Sequence, residues 1–144
     1  MSTRTSTAQW RGSLVGGSGS IALTSSGQAT FDYSLQTRAA EQASSTSPEE
    51  LLAAAYASCY AMQLSALLDP GPDDSPELHV EAVVTQGGPE ADFGIVDIAL
   101  IVRGRGIPRT DQEFVEIART ASSVCPIGRA LAGVPVSVDA ALSP

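Results

Sequence analysis

The chain has 144 residues, 43% of them hydrophobic and 17% charged, and a formal net charge of −8. That size predicts one domain over residues 1–144 with a substantial core, and the acidity argues against nucleic acid or an anionic membrane surface as a partner. All eight basic residues are arginines, which rules out a lysine base, a lysine Schiff base and a P-loop lysine.

The N-terminus, Met1 to Thr7, is polar and leads into a strand pattern without the apolar segment of a secretory signal. No apolar run in the sequence approaches the ~20 residues of a membrane span. A cytoplasmic chain is expected, where disulfides are transient rather than structural. The first ~40 residues read as an antiparallel meander by alternation and turn chemistry. Trp10, Gly12 and Leu14 share one parity, Gly16 to Gly19 form a turn, and Ser20 to Thr24 make the next strand. After the turn Ser25-Ser26-Gly27-Gln28, the apolar Phe31, Tyr33 and Leu35 alternate with the polar Asp32, Ser34 and Gln36. The glycine cluster has no following helix and no Lys-Ser/Thr ending, so it is not read as a phosphate loop. Residues 39–46 form a polar loop.

Ser47-Pro48-Glu49-Glu50 opens a helix expected to reach residue 68. Ser47 suits the N-cap, Pro48 the first helical position, and Glu50 completes a capping box. Leu52, Ala55, Tyr56, Cys59, Met62 and Ala66 fall on one broad face at helical spacing, which points Cys59 inward. Asp69-Pro70-Gly71-Pro72 stops the helix. Two strands follow, over residues 78–85 and 94–103. The single histidine, His79, alternates with apolar neighbours and reads as a solvent-facing strand residue. With two distant cysteines it leaves a tetrahedral metal site short of ligands. Thr110 and Glu113 form a second capping box, opening a helix with the apolar stripe Phe114, Ile117, Ala118, Ala121 and Val124. Pro126 interrupts it, a short helical turn follows, and Val134 to Ala140 closes the chain as a strand. The order β-β-β-α-β-β-α-β is α+β with strands in antiparallel groups.

The chemistry concentrates on two cysteines. Cys59 lies about three turns into its helix, beyond reach of the macrodipole, so it needs a cation delivered from elsewhere. Without lysine, that cation must be an arginine. Cys125 precedes Pro126 near the start of a new helical turn, where free N–H groups favour a thiolate. On these residues alone, two unrelated buried cysteines without a redox role are the favoured reading.

The motifs add a family. Ser47-Pro48-Glu49-Glu50-Leu51-Leu52-Ala53-Ala54-Ala55-Tyr56-Ala57-Ser58-Cys59 resembles the Thr-Asn-Pro-Glu-Glu-Leu…Ala-Ala-Cys signature of the OsmC/Ohr family. Val124-Cys125-Pro126-Ile127-Gly128-Arg129-Ala130-Leu131 resembles its second signature, Cys-Pro-Val-Ser-x-x-Leu. Ala8 to Gly12 and Tyr33 to Arg38 resemble the OsmC branch more than the Ohr branch. Ser47 stands where asparagine is usual, and Val124 and Gly128 replace small and hydroxyl residues beside the second cysteine. The resemblance implies an OsmC-like fold, with antiparallel sheets wrapped around central helices in an intertwined homodimer. It implies a thiol-dependent peroxidase for organic hydroperoxides, weaker on hydrogen peroxide, in stress defence. Cys59 maps onto the reactive cysteine, Cys125 onto the resolving one, Arg38 onto the activating arginine and Glu49 onto its acidic partner. A dithiol such as dihydrolipoamide or a lipoylated protein would be the reductant, and no metal, flavin or haem is called for. Tyr56, Met62 and Phe114 are the candidate apolar walls of the substrate pocket.

Glu49 and Cys59 are ten residues apart, roughly 15 Å along one helix. This spacing predicts that a second subunit supplies Glu49 to a given Cys59, and leaves open which subunit supplies Arg38. A redox sensor or small-ligand-binding protein using the same pocket without turnover is the alternative from another class, and a purely structural stress protein a third.

Overall fold

The computed structural model describes residues Met1–Pro144. The chain resolves into two compact units, Met1–Leu51 and Leu52–Pro144.

In the first unit, strands β1 (Thr7–Arg11), β2 (Ser18–Ala22) and β3 (Thr30–Tyr33) form an antiparallel sheet in chain order. Trp10 pairs with Gly19 and Gly19 with Tyr33, which brings the two aromatic rings to a centroid separation of 5.4 Å across the glycine. The first strand is shorter than its alternation predicts. Gly12 adopts φ +94°, and Gly17 N–H closes the loop onto the Ser13 carbonyl at 2.8 Å. Ser18 and Gly19, expected in the turn, therefore belong to β2.

The third strand also ends early. The Phe31-Tyr33-Leu35 alternation predicts an extended chain, but Ser34 starts a short helix, α1 (Leu35–Arg38). Ser34 Oγ accepts from Thr37 N–H and Thr37 Oγ1 accepts from Ser34 N–H, both at 3.1 Å. This reciprocal cap satisfies backbone donors that a strand would leave without partners, and it overrides the period-two pattern.

Helix α2 (Pro48–Leu68) spans the boundary of the two units. Ser47 Oγ accepts from Glu50 N–H at 3.2 Å, as an N-cap should. The return half of the predicted capping box is replaced: the Glu50 carboxylate accepts from Thr46 Oγ1 at 2.6 Å. The helix ends where Asp69 turns to φ +44° ahead of Pro70. At 21 residues it is long and apolar enough, by length and composition alone, to cross a membrane. That corrects the expectation drawn from the sequence.

The second unit holds β4 (Glu77–Gln86), β5 (Ile95–Arg105) and β6 (Val136–Leu142) in that order within one sheet. β4 and β5 pair antiparallel from Glu77↔Arg105. β6 lies parallel to β5, the one departure from the antiparallel groups expected. The chain reaches β6 through α3 (Asp111–Val124) and α4 (Pro126–Ala130), the helical crossover that a parallel neighbour requires. Thr110 and Glu113 form the predicted capping box, and His79 is exposed as predicted.

The core joins Ile98, Leu100 and Val102 of β5 to Phe114, Ala118 and Ala121 of α3, with Tyr56, Tyr60, Leu64, Leu68 and Cys125. On α2 the enclosed ridge runs at four-residue intervals from Tyr56 to Leu68, not along Leu52, Ala55, Met62 and Ala66. Because α2 is apolar almost all round, periodicity does not single out its inner face. Side-chain volume and two tyrosine hydroxyls decide it: Tyr60 donates to the Ala118 carbonyl at 2.7 Å and Tyr56 bonds Ser122.

Candidate active site

Within Leu52–Pro144 the two sulfurs meet. Cys59 projects from α2 half-buried, and Cys125 is wholly enclosed. Both are free thiols. The Cys125 thiol donates to Cys59 Sγ across 3.2 Å, a contact that needs only a short approach to reach the ~2.05 Å of a disulfide. The Cys-Pro sequence makes this possible. Proline biases the preceding residue away from helical geometry, and Cys125 sits at φ −57°, ψ 128°. It is at once the last hydrogen-bonded residue of α3, through Cys125 N–H to the Ala121 carbonyl, and the N-cap of α4, through its own carbonyl to Arg129 N–H.

Local sequence favours a thiolate at Cys125, but the enclosure wins. Burial pushes the Cys125 thiol above its ordinary value, and the neighbouring Cys59 adds to the rise. The N–H groups of Gly128 and Ile127 pull the other way without cancelling it. Cys125 is thus a neutral thiol held in place, and Cys59 is the sulfur open to a reagent.

The proposed pocket walls do not form one surface. Tyr56 and Phe114 are both 0% exposed, whereas Met62 is 68% exposed. Phe114 fills the space over Gly104, where a Cβ would stand 2.8 Å from its ring. Tyr56 lies behind the cysteine turn. Both are core residues, and Met62 stands on the outer side of α2.

Within Met1–Leu51, Arg38 and Glu49 form the other candidate pair. Arg38 is the last residue of α1, and Glu49 lies in the first turn of α2. Arg38 Nη2 donates to Glu49 Oε1 at 2.5 Å, and Nε lies 3.2 and 3.1 Å from Oε1 and Oε2. This two-pronged contact fixes the plane of the guanidinium. Burial alone would lift the Glu49 carboxyl. Hydrogen bonds from Arg38, its own backbone N–H and Ser47, with the Arg38 charge, hold it below the ordinary carboxylate value. The bond to Glu49 raises Arg38 further, so it stays charged. Beside the pair lies an apolar cavity of about 270 Å³, lined by Trp10, Leu14, Tyr33, Leu35, Arg38 and Pro48. Sequence reasoning missed this cavity. Its one signal was alternation, which sets Trp10 and Leu14 on one face of the first strand pattern and Tyr33 and Leu35 on one face of the third.

A family model described as OsmC-like protein matches residues 41–139. The chain belongs to this family. It is 31% identical over 125 residues to Peroxiredoxin OsmC of Escherichia coli strain K12, with 86% of each chain covered. The organic hydroperoxide resistance protein OhrB of Bacillus subtilis superposes with a TM-score of 0.62 at 24% identity, covering 96% of this chain and 98% of that one. An OsmC-like protein of unknown function from Vibrio cholerae gives a TM-score of 0.71 at 14% identity, covering 97% and 99%. The α+β architecture is therefore that of OsmC and Ohr proteins.

Proposed function

We propose that this OsmC-like protein is a thiol-dependent peroxidase that reduces organic hydroperoxides to alcohols. The observation that carries the reading is the pair of free sulfurs 3.2 Å apart, one half-buried and one enclosed. The names peroxiredoxin and organic hydroperoxide resistance protein among its relatives favour the same reading.

In this mechanism the Cys59 thiolate attacks the outer peroxide oxygen. The O–O bond breaks, the alkoxide leaves as alcohol after taking a proton, and Cys59 becomes a sulfenic acid. The Cys125 thiol then attacks Cys59 Sγ. The S–S bond forms, the S–O bond breaks, and water leaves with the thiol proton. This prevents irreversible oxidation of Cys59. A dithiol, dihydrolipoamide or a lipoylated protein, reduces the disulfide by exchange.

Arg38 serves Cys59 as the cation that stabilises the thiolate and binds the peroxide, with Glu49 fixing its orientation. Arg38 and Glu49 are bonded within one chain, so whichever subunit supplies one supplies both. The ten-residue spacing of Glu49 and Cys59 favours a homodimer in which the pair serves the partner's Cys59. The exposed apolar residues of α2, among them Ala54, Ala55 and Met62, suit such an interface.

Turnover of cumene hydroperoxide with dihydrolipoamide tests the function. The enzyme consumes peroxide continuously until the donor is spent. Consumption of a single equivalent per chain, then arrest despite excess donor, marks a sensor instead. For the shared site, chains carrying Cys59→Ser are mixed with chains carrying Glu49→Ala. Heterodimers recover activity if the site is shared, and recover none if each chain is self-sufficient.

A further inference from the structure

Three residues that the reaction does not consume converge on the cysteine turn. The Tyr56 hydroxyl and Ser122 Oγ share a hydrogen bond of 3.2 Å. A Cβ on Gly128 would stand 2.7 Å from that hydroxyl and 2.6 Å from the Ser122 carbonyl oxygen. The phenol thus occupies a notch that only glycine leaves open. Ser122 lies three residues before Cys125 and Gly128 three residues after it, so Tyr56 contacts both flanks of the turn that carries one sulfur. On α2, Tyr56 lies three residues before Cys59, on the same helix face as the other sulfur. Its side chain is fully enclosed, where a hydroxyl requires a partner. Burial also keeps it a neutral phenol.

We propose that Tyr56 is a positioning residue for the sulfur pair: through Ser122 and the notch at Gly128 it holds Cys125 Sγ against Cys59 Sγ. Closure of the disulfide depends on its hydroxyl, and attack on peroxide does not. The inference rests on the thiol-peroxidase reading for the natural oxidant alone. Closure driven by oxidised dithiothreitol, in which the two thiols pass two electrons and two protons to the reagent, proceeds without that reading.

The test is the equilibrium of the full-length protein with oxidised and reduced dithiothreitol, followed by mass spectrometry of alkylated thiols. Tyr56→Phe and Ser122→Ala should each lower the equilibrium constant for disulfide formation about fivefold, the worth of one hydrogen bond. The double variant should lose no more than either single one. Tyr60→Phe is the control, because it removes the hydroxyl bond of an equally enclosed tyrosine, to the Ala118 carbonyl, one turn farther along α2. It should lower the melting temperature and leave the dithiothreitol equilibrium unchanged. Equilibria unchanged in Tyr56→Phe and Ser122→Ala, additive losses in the double variant, or an equal shift in Tyr60→Phe would each overturn the proposal. Wild-type protein that closes its disulfide in dithiothreitol but consumes no hydroperoxide refutes the peroxidase and leaves this inference standing on its own result.

Discussion

In Leu52–Pro144 the sulfurs of Cys59 and Cys125 face each other across 3.2 Å, in a core that encloses no charged side chain. In Met1–Leu51, Arg38 and Glu49 form a two-pronged ion pair, with the arginine side chain 34% exposed. The first region is fixed by packing, by a proline-broken helix and by buried tyrosine hydroxyls. The second is fixed by charge near solvent. Under the proposed function the two regions do different work. Bringing two sulfurs together is a matter of position, which close packing supplies without charge. Making a thiolate is a matter of charge, and burial at the cysteine turn opposes it. A peroxidase needs both, so the two regions should fail in different ways.

The largest effect should come from the sulfur itself. Cys59→Ser should abolish hydroperoxide turnover entirely, with folding intact by circular dichroism. Removing the charge should come next. Arg38→Ala should lower kcat/KM for cumene hydroperoxide by about 10²-fold, the scale of a lost electrostatic contact to developing charge. Its dithiothreitol equilibrium should move far less, and a parallel fall in both would erase the distinction between the regions. Gly128→Ala should act in the opposite sense. Its new Cβ meets the Ser122 carbonyl and the Tyr56 hydroxyl, so thermal unfolding should show a loss of about 1–3 kcal/mol. Disulfide closure should weaken with it, while the Cys59 thiol remains reactive toward peroxide.

The smallest effect is on stability against pH. Glu49 is held below its ordinary value of 4.5 in the folded chain, so its ionised form favours folding. That contribution is complete above the ordinary carboxylate value and is lost as pH falls through the lowered one. Wild type should therefore exceed Glu49→Gln in stability by a constant margin at neutral pH, and the margin should close in acid. Urea unfolding at a series of pH values reads it directly. A margin that widens in acid would contradict the sign.

Both chemical pairs were legible in the sequence, though for different reasons. Cys125 announced its turn through Pro126, and Thr110 with Glu113 marked the start of α3 through local capping alone. Arg38 and Glu49 were named only through the family resemblance, since a strand-end arginine and a first-turn acid carry no local signal of contact. What the sequence hid was set by tertiary choices. The Ser34–Thr37 cap cut short a pattern that alternation alone extends. On α2, apolar nearly all round, Met62 and Tyr56 looked equivalent until the hydroxyl of Tyr56 found Ser122. The parallel placement of β6 was likewise invisible, because strand periodicity carries no direction.

The central claim is that Cys59 is oxidised first and Cys125 closes on it. The direct measurement is rapid-quench mass spectrometry of wild type and Cys125→Ser after one equivalent of cumene hydroperoxide. Wild type should lose two hydrogens as a Cys59–Cys125 disulfide. Cys125→Ser should gain one oxygen on Cys59, and further oxygens with excess peroxide. Wild type with both thiols unmodified, or oxygen found first on Cys125, would contradict the account.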